Sequence, residues 1–258
     1  MISKVRIKSN IKEAMIFAAG KGNRMRYNTK YKAKPLIKIK DKEPLKINLN
    51  KLSSSGIKTC VVNTNYNHKS VEKFVKNFKY KNNKPKVYIS HEAEKLETGG
   101  GFKKAKSYFT TNNILLVNGD SILTNNFNEC PIKKLSRNFS TDKMDILLLL
   151  ASFNNSVGYS GNGDYSKRFK GKISFIERRS KNHKKSKAFI FTGWQVISKQ
   201  ILSSIRKNKF SLNILYDLAE KKKRLYGITH QGSFLHLSTP KSLIQIENHL
   251  RFHKIKLL

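Results

Sequence analysis

Ala14-Met15-Ile16-Phe17-Ala18-Ala19-Gly20-Lys21-Gly22-Asn23-Arg24-Met25 is the stretch on which the reading of this chain turns. Residues 14–19 are a short apolar run, broken at Gly20. A run of that length followed by glycines predicts a buried strand and then a tight turn. Gly20 and Gly22, two apart, let the backbone bend sharply and aim N–H groups at an anion. Arg24 adds a planar fork of donors suited to phosphate oxygens. Further on, Lys34-Pro35-Leu36 supplies a second cation on a stiffened backbone. The loop is no Walker motif, because G-x-x-x-x-G-K-[ST] is absent, and it lacks the third glycine of the dinucleotide fingerprint. On its own it reads either as a phosphate cradle or as an ordinary strand-to-helix turn.

Outward from this loop, apolar runs and helical stretches alternate. Residues 44–56 predict a helix, with Leu45, Leu49 and Leu52 at helical spacing and Gly56 as its stop. Residues 59–64 predict a strand. Residues 70–78 predict a helix with Val71, Phe74, Val75 and Phe78 on one face. Residues 86–90 predict a strand, 101–109 a helix, 114–117 a buried strand and 145–153 another strand. The second half is less regular: a loop over 156–172, strands over 173–176 and 188–197, and helices over 199–207 and 212–222. Strands over 224–229 and 234–237 follow, and Pro240 opens a closing helix over 240–252. This rhythm implies an α/β fold with a Rossmann-like, mostly parallel sheet, flanking helices and a mixed-sheet C-terminal part. One domain is expected over residues 1–258, with halves at 13–125 and 145–250.

The chain has 258 residues with 53 Lys plus Arg against 16 Asp plus Glu, a formal net charge of +37. Such a charge invites a nucleic-acid reading. The cations are 43 Lys and only 10 Arg, spread along the whole chain, and no aromatic-basic binding motif stands out. The 25 Asn and frequent Ile belong, with Lys, to AT-rich codons, so base composition accounts for much of the bias. The remainder favours anionic substrates. Runs such as 181–187 and 221–224 read as solvated charge. No apolar run approaches the roughly 18 residues of a membrane span, and the basic start carries too short an apolar segment for a secretion signal. Two cysteines, Cys60 and Cys130, make neither a disulfide framework nor a metal spacing. The expectation is a reduced, cytoplasmic protein that binds neither nucleic acid nor membrane, as a monomer or small homo-oligomer.

With so few carboxylates, an acid at a strand end is easy to single out. Ile114-Leu115-Leu116-Val117-Asn118-Gly119-Asp120 is an apolar strand ending in one. Ligands of open α/β sheets sit beyond the carboxyl ends of strands. An Asp there, close to a phosphate loop, suits Mg²⁺, which takes one or two carboxylates and fills its shell with phosphate oxygens and water. The simpler reading is an Asp capping the next turn. Leu96-Glu97-Thr98-Gly99-Gly100-Gly101 precedes an amphipathic stretch. Three glycines allow a flat ligand to lie on the backbone. Read alone, they are a loop entering a helix.

The run A-A-G-K-G-N-R-M, followed by K-P-L, resembles the N-terminal signature of the sugar-1-phosphate nucleotidyltransferases. The order of the motifs over residues 13–248 is similar to that family, which implies the nucleotide-diphospho-sugar transferase fold. The resemblance implies nucleotide contacts at Ala19, Gly20, Gly22, Asn23, Arg24, Lys34, Glu97, Thr98, Gly99 and Gly100. It implies catalytic roles for Arg24, Lys34 and Asp120, and a metal, Mg²⁺ or Mn²⁺, on Asp120. The L-E-T-G-G-G spelling resembles the branch acting on N-acetylmuramate 1-phosphate with UTP. In the second half, Asp164 and the segment Phe191-Thr192-Gly193 are similar to sugar-site segments, with Gly193 leaving room for the ring. Phe234-Leu235-His236-Leu237-Ser238-Thr239 resembles the family's last motif, with two departures: His236 stands where a second metal-binding Asp is usual, and Ser238 replaces Gly. Imidazole suits softer metals than Mg²⁺. Asp120 and the phosphates then hold the ion alone, His236 joins as a ligand to Mn²⁺ or a similar metal, or activity is lost; a plain strand histidine is the remaining reading. The implied reaction joins a nucleoside triphosphate to a sugar 1-phosphate, with UDP-N-acetylmuramate of a cell-wall recycling route as the product. A mannose-1-phosphate guanylyltransferase, a catalytically silent regulatory relative and a basic nucleic-acid-binding protein are the alternatives.

Overall fold

A computed structural model describes residues 11–30, 32–80, 84–125, 129–168, 171, 173–178 and 188–257, with backbone only at 26–28. The basic run at 181–187 lies outside these residues, as does part of the loop expected over 156–172.

Nine strands form one sheet. They are β1 (Glu13–Phe17), β2 (Thr59–Thr64), β3 (Lys86–His91), β4 (Asn113–Asn118), β6 (Ile146–Ala151), β8 (Tyr165–Lys167), β9 (Ile173–Arg178), β10 (Ala188–Ser198) and β11 (Leu225–Thr229). Their order is β3-β2-β1-β4-β10-β6-β11-β9-β8. The first four are parallel. β10 enters antiparallel between β4 and β6, and β11 returns parallel to β6. The two halves read from the sequence therefore share one sheet. A second sheet has the order β5-β12-β7, from β5 (Ser121–Leu123), β12 (Phe234–His236) and β7 (Ser156–Val157).

Period-two alternation divides the core. Leu115 and Val117 face one side of the large sheet with Ala14 and Ile16, while Ile114, Leu116 and Met15 face the other. These side chains are fully buried, and each such aliphatic contributes about 1.5–3 kcal/mol relative to exposure. The helices cover both faces: α1 (Pro44–Ser54), α2 (His68–Asn77), α3 (Glu97–Ala105), α4 (Pro131–Asn138), α5 (Asn213–Lys221) and α6 (Pro240–Phe252). A third apolar cluster under the small sheet joins Met25, Ile37 and Ile39 to Leu235, Leu237, Ile246 and Leu250. None of the described helices is long and apolar enough to cross a membrane.

Several expectations need correction. The helix expected over 101–109 begins at Glu97, so the glycine triplet is the first turn of α3 rather than a loop before it. The stretch 199–207 is a short 3-10 segment, Lys199–Ser204. The loop over 156–172 contains β7 and β8. Phe191-Thr192-Gly193 lies inside β10, at a register shift that interrupts the regular pairing expected over 188–197. Helix α4, opened by Pro131, escapes the sequence reading because only Ile132 and Leu135 carry its apolar face.

Candidate active site

The carboxyl ends of β1 and β4 approach each other closely. Gly119 donates its N–H to the Phe17 carbonyl at 3.0 Å. A Cβ at Gly119 would sit 2.5 Å from that carbonyl and 2.9 Å from Pro35 Cγ. Only glycine lets the Lys34-Pro35 segment pack against the turn that carries Asp120. The Lys34 ammonium bonds Asp120 Oδ2 there, with side chains 10% and 23% exposed.

The small sheet brings His236 to the same place. β12 pairs antiparallel with β5 in the register His236↔Ser121, and Leu237 donates its N–H to the Asp120 carbonyl at 3.1 Å. His236 Nε2 then lies 4.0 Å from Asp120 Oδ2, an electrostatic neighbour rather than a hydrogen-bond partner. Its Nδ1 is buried with no hydrogen-bond partner among the described residues. Burial alone would raise the Asp120 carboxyl, but the Lys34 ammonium and His236 outweigh it and hold it below the usual carboxylate range. Burial pushes the His236 imidazole down, and Lys34 and Arg24 reinforce that against Asp120 and Asp164. His236 is thus kept in the neutral, ligating form. Arg24, Lys34, Asp120, Asp164 and His236 are close enough to act on one titration.

The glycine loop divides its labour. Gly22 adopts φ +66° and accepts from Met25 N at 2.8 Å and from Thr29 Oγ1 at 3.2 Å. Its missing side chain is what admits the Thr29 methyl and Lys34 Cβ. Gly20 is different: among the described residues a Cβ there would meet nothing within 4 Å, so no described side chain covers it. Ala19 is buried, and Asn23 and Arg24 are exposed at the start of a 3-10 turn, Asn23–Thr29. Ala18 N donates to Asn63 Oδ1 at 2.8 Å, Asn63 Nδ2 donates to Glu92 Oε1 at 2.7 Å, and Leu96 N donates to Glu92 Oε2 at 3.1 Å. This buried chain couples the loop's entry to the start of α3. Sequence reading missed Asn63 and Glu92; Glu92 was legible only as one of 16 scarce acids.

The triplet glycines are consumed by packing. Their absent side chains would collide with the Phe210 ring at Gly99, the Asn208 carbonyl at Gly100 and Glu92 Oε1 at Gly101, at 2.4, 2.2 and 2.6 Å. Gly100 N donates to the Phe210 carbonyl at 3.0 Å. Thr98 Oγ1 accepts from Leu212 N at 3.0 Å, while Glu97 is exposed. Gly99 and Gly100 therefore dock α3 on the 208–212 segment, and Gly101 docks it on Glu92.

Both oxygens of Asp164 are engaged: Tyr159 donates its hydroxyl to Oδ1 at 3.2 Å and Phe191 its N–H to Oδ2 at 2.9 Å. Gly193, at φ +78°, leaves its space to Asn118, whose side-chain atoms would stand 2.7–2.8 Å from a Cβ. The room expected at Gly193 is thus taken by Asn118. Asn118 and Tyr159 are site-side residues to which the sequence reading gave no role, although Asn118 lies within a motif it quoted. For a divalent ion, Asp120 offers one carboxylate and His236 one neutral imidazole. That donor set fits an ion that draws its other ligands from phosphates and water.

Residues 13–159 match the family model described as nucleotidyl transferase. The chain is 28% identical over 240 residues, 93% of its length and 97% of the relative's, to the N-acetylmuramate alpha-1-phosphate uridylyltransferase of Caulobacter vibrioides. It is 26% identical over 245 residues, 93% and 99% of the two chains, to the D-glycero-alpha-D-manno-heptose 1-phosphate guanylyltransferase of Aneurinibacillus thermoaerophilus. A UDP-glucose pyrophosphorylase structure from Acinetobacter baumannii superposes with a TM-score of 0.78 at 12% identity, covering 96% of each chain. That likeness carries the fold, the nucleotide-diphospho-sugar transferase architecture.

Proposed function

The chain belongs to the nucleotidyl transferase family, and on that premise we propose that it transfers a uridylyl group from UTP to N-acetylmuramate 1-phosphate. The observation that carries the nucleotidyl-transfer reading is the Lys34–Asp120 pair, whose lysine stem packs against Gly22 of the glycine loop. A cation and a metal-competent carboxylate meet there at the strand ends where a triphosphate would enter. The uridylyl choice rests on the L-E-T-G-G-G spelling and is supported by the Caulobacter vibrioides relative. The Aneurinibacillus thermoaerophilus relative keeps a guanylyl transfer as the second reading.

An oxygen of the sugar phosphate attacks the α-phosphorus of the triphosphate. A new phosphorus–oxygen bond forms as the bond to the leaving pyrophosphate breaks. The nucleophile is already anionic, so no general base and no covalent enzyme intermediate are needed. The protein's part is alignment and charge compensation. Exposed backbone at Gly20 approaches the phosphates, Arg24 and Lys34 offset their charge, and Ala19, Gly22 and Asn23 shape the loop. Glu97, Thr98, Gly99 and Gly100 stand at the α3 end of the nucleotide side. Asp164, oriented by Tyr159 and Phe191, faces the sugar with Gly193 and Asn118. When bound on Asp120, with or without His236, Mg²⁺ or Mn²⁺ supplies further neutralisation of the phosphates. Free Cys60 and Cys130 agree with a reducing, cytoplasmic setting.

A pyrophosphate-release assay over four nucleoside triphosphates and several sugar 1-phosphates tests the reading. Turnover with UTP and N-acetylmuramate 1-phosphate above all other pairs is the expected result. Preference for GTP would move the assignment to the second reading, and no turnover with any pair would overturn the enzymatic one.

A further inference from the structure

His68, Glu72 and His91 are none of the residues assigned to the nucleotide site, and one ligand atom of each lies within 4.8 Å of the others. His68 is the first residue of α2, and Glu72 follows one turn later on the same face. His91 is the last residue of β3. His68 Nδ1 lies 3.1 Å from Glu72 Oε1, and the two imidazole rings are 4.3 Å apart between centroids. Thr64 Oγ1 lies 3.3 Å from His91 Nδ1. A buried hydroxyl on one ring nitrogen orients an imidazole and leaves Nε2 available, as outer contacts do for metal-ligating histidines.

Two imidazoles and one carboxylate are donors suited to Zn²⁺ and its neighbours rather than to Mg²⁺. Bonds of about 2.0–2.1 Å place tetrahedral ligand atoms about 3.3 Å apart, so small side-chain rotations close the observed spacing. Among the described residues, the ion pair of Glu72 is with His68. The side chains of His68 and Glu72 are 36% and 40% exposed, so an ion can enter.

We propose that His68, Glu72 and His91 bind one zinc-class divalent ion that ties the start of α2 to the end of β3. The tie would brace the nucleotide loop's far side. Immediately before His68, Tyr66 donates its hydroxyl to the Lys30 carbonyl at 3.2 Å, and Asn67 Nδ2 donates to the Thr29 carbonyl at 3.3 Å. The remaining coordination position belongs to water.

Tag-free protein, stripped with chelator, is titrated with Zn²⁺ against a chromophoric chelator and with Co²⁺ by visible absorption. The wild type, Asp120→Asn, the double variant His68→Gln/His91→Gln, and the double variant His249→Gln/His253→Gln are compared. The last pair, His249 in α6 and His253 just past its end, has a similar ring separation of 4.5 Å but no third donor among the described residues. One equivalent of Zn²⁺ and a tetrahedral Co²⁺ spectrum are expected in the wild type, Asp120→Asn and His249→Gln/His253→Gln. His68→Gln/His91→Gln should lose about tenfold or more in affinity with an unchanged metal-free circular dichroism spectrum. Zn²⁺ should raise the Tm of the wild type and not that of this variant. Equal Zn²⁺ affinity in the wild type and His68→Gln/His91→Gln, loss only in Asp120→Asn or His249→Gln/His253→Gln, or no Zn²⁺ binding by the wild type would each overturn the proposal.

Discussion

Lys34 and Asp120 are 86 residues apart in sequence and meet in an ion pair at the carboxyl end of β4. The pair holds the Asp120 carboxyl below the usual carboxylate range, and the Lys34 stem packs against Gly22 of the glycine loop. Each partner keeps the other's charge from being stranded in a poorly solvated place.

Catalysis should follow both partners. Asp120→Asn is expected to lower kcat about a hundredfold or more in a folded protein, and Lys34→Ala to weaken triphosphate use and slow turnover. Lys38 is exposed on the same segment, so Lys38→Ala is the control. Steady-state kinetics with matched circular dichroism spectra check this. Equal losses from Lys34→Ala and Lys38→Ala would mean that only bulk charge matters.

Glycines with different neighbours should respond differently to alanine. Gly100→Ala and Gly101→Ala drive a methyl into the Asn208 carbonyl and Glu92 Oε1, and should each cost about 1–3 kcal/mol of stability. Gly20→Ala meets no atom of the described residues within 4 Å and should leave the denaturant midpoint unchanged while raising KM for the triphosphate. An unchanged KM would show that the open face of Gly20 is not where the ligand lies.

His236 is neutral at ordinary pH because burial lowers its pKa, so it is ready to coordinate. If it does, Mn²⁺ should support turnover better than Mg²⁺. His236→Asp should shift the preference towards Mg²⁺, and activity should fall as pH drops through the lowered imidazole pKa. The Mn²⁺ to Mg²⁺ rate ratio is measured for the wild type, His236→Asp and His236→Asn. One ratio for all three would remove His236 from the metal.

Acid should destabilise the fold through His230. It is 2% exposed, and burial, with Lys51 and Lys134 nearby, pushes its imidazole down to about 4. Between about pH 6.5 and 4 the unfolded chain takes up a proton that the folded chain refuses. Its stability contribution is therefore full above about pH 6.5 and declines by about 3 kcal/mol as pH falls to about 4. Denaturant melts across this window should show a shallower decline in His230→Gln than in the wild type.

Local signals were strong wherever one element's own periodicity settled its state. Leu45, Leu49 and Leu52 marked α1, and the unbroken apolar run at 114–117 marked a strand buried on both faces. The α3 boundary failed because three glycines look like a breaker. Their helical state is fixed by packing, of Gly99 and Gly100 against the 208–212 segment and of Gly101 against Glu92 and Asn63, contacts that no local window contains.

The sequence by itself determined the alternation of strands and helices, the position of the glycine loop and the identity of Asp120 as a scarce acid at a strand end. Those follow from backbone preference and side-chain periodicity within a few residues. Only the tertiary structure decided that Lys34 and His236 converge on that acid, that Asn118 fills the space beside Gly193, and that His91 joins His68 and Glu72. Each of these depends on strand pairing and close backbone approach between segments distant in sequence. Such contacts are selected by burial over the whole sheet, and no local pattern encodes them.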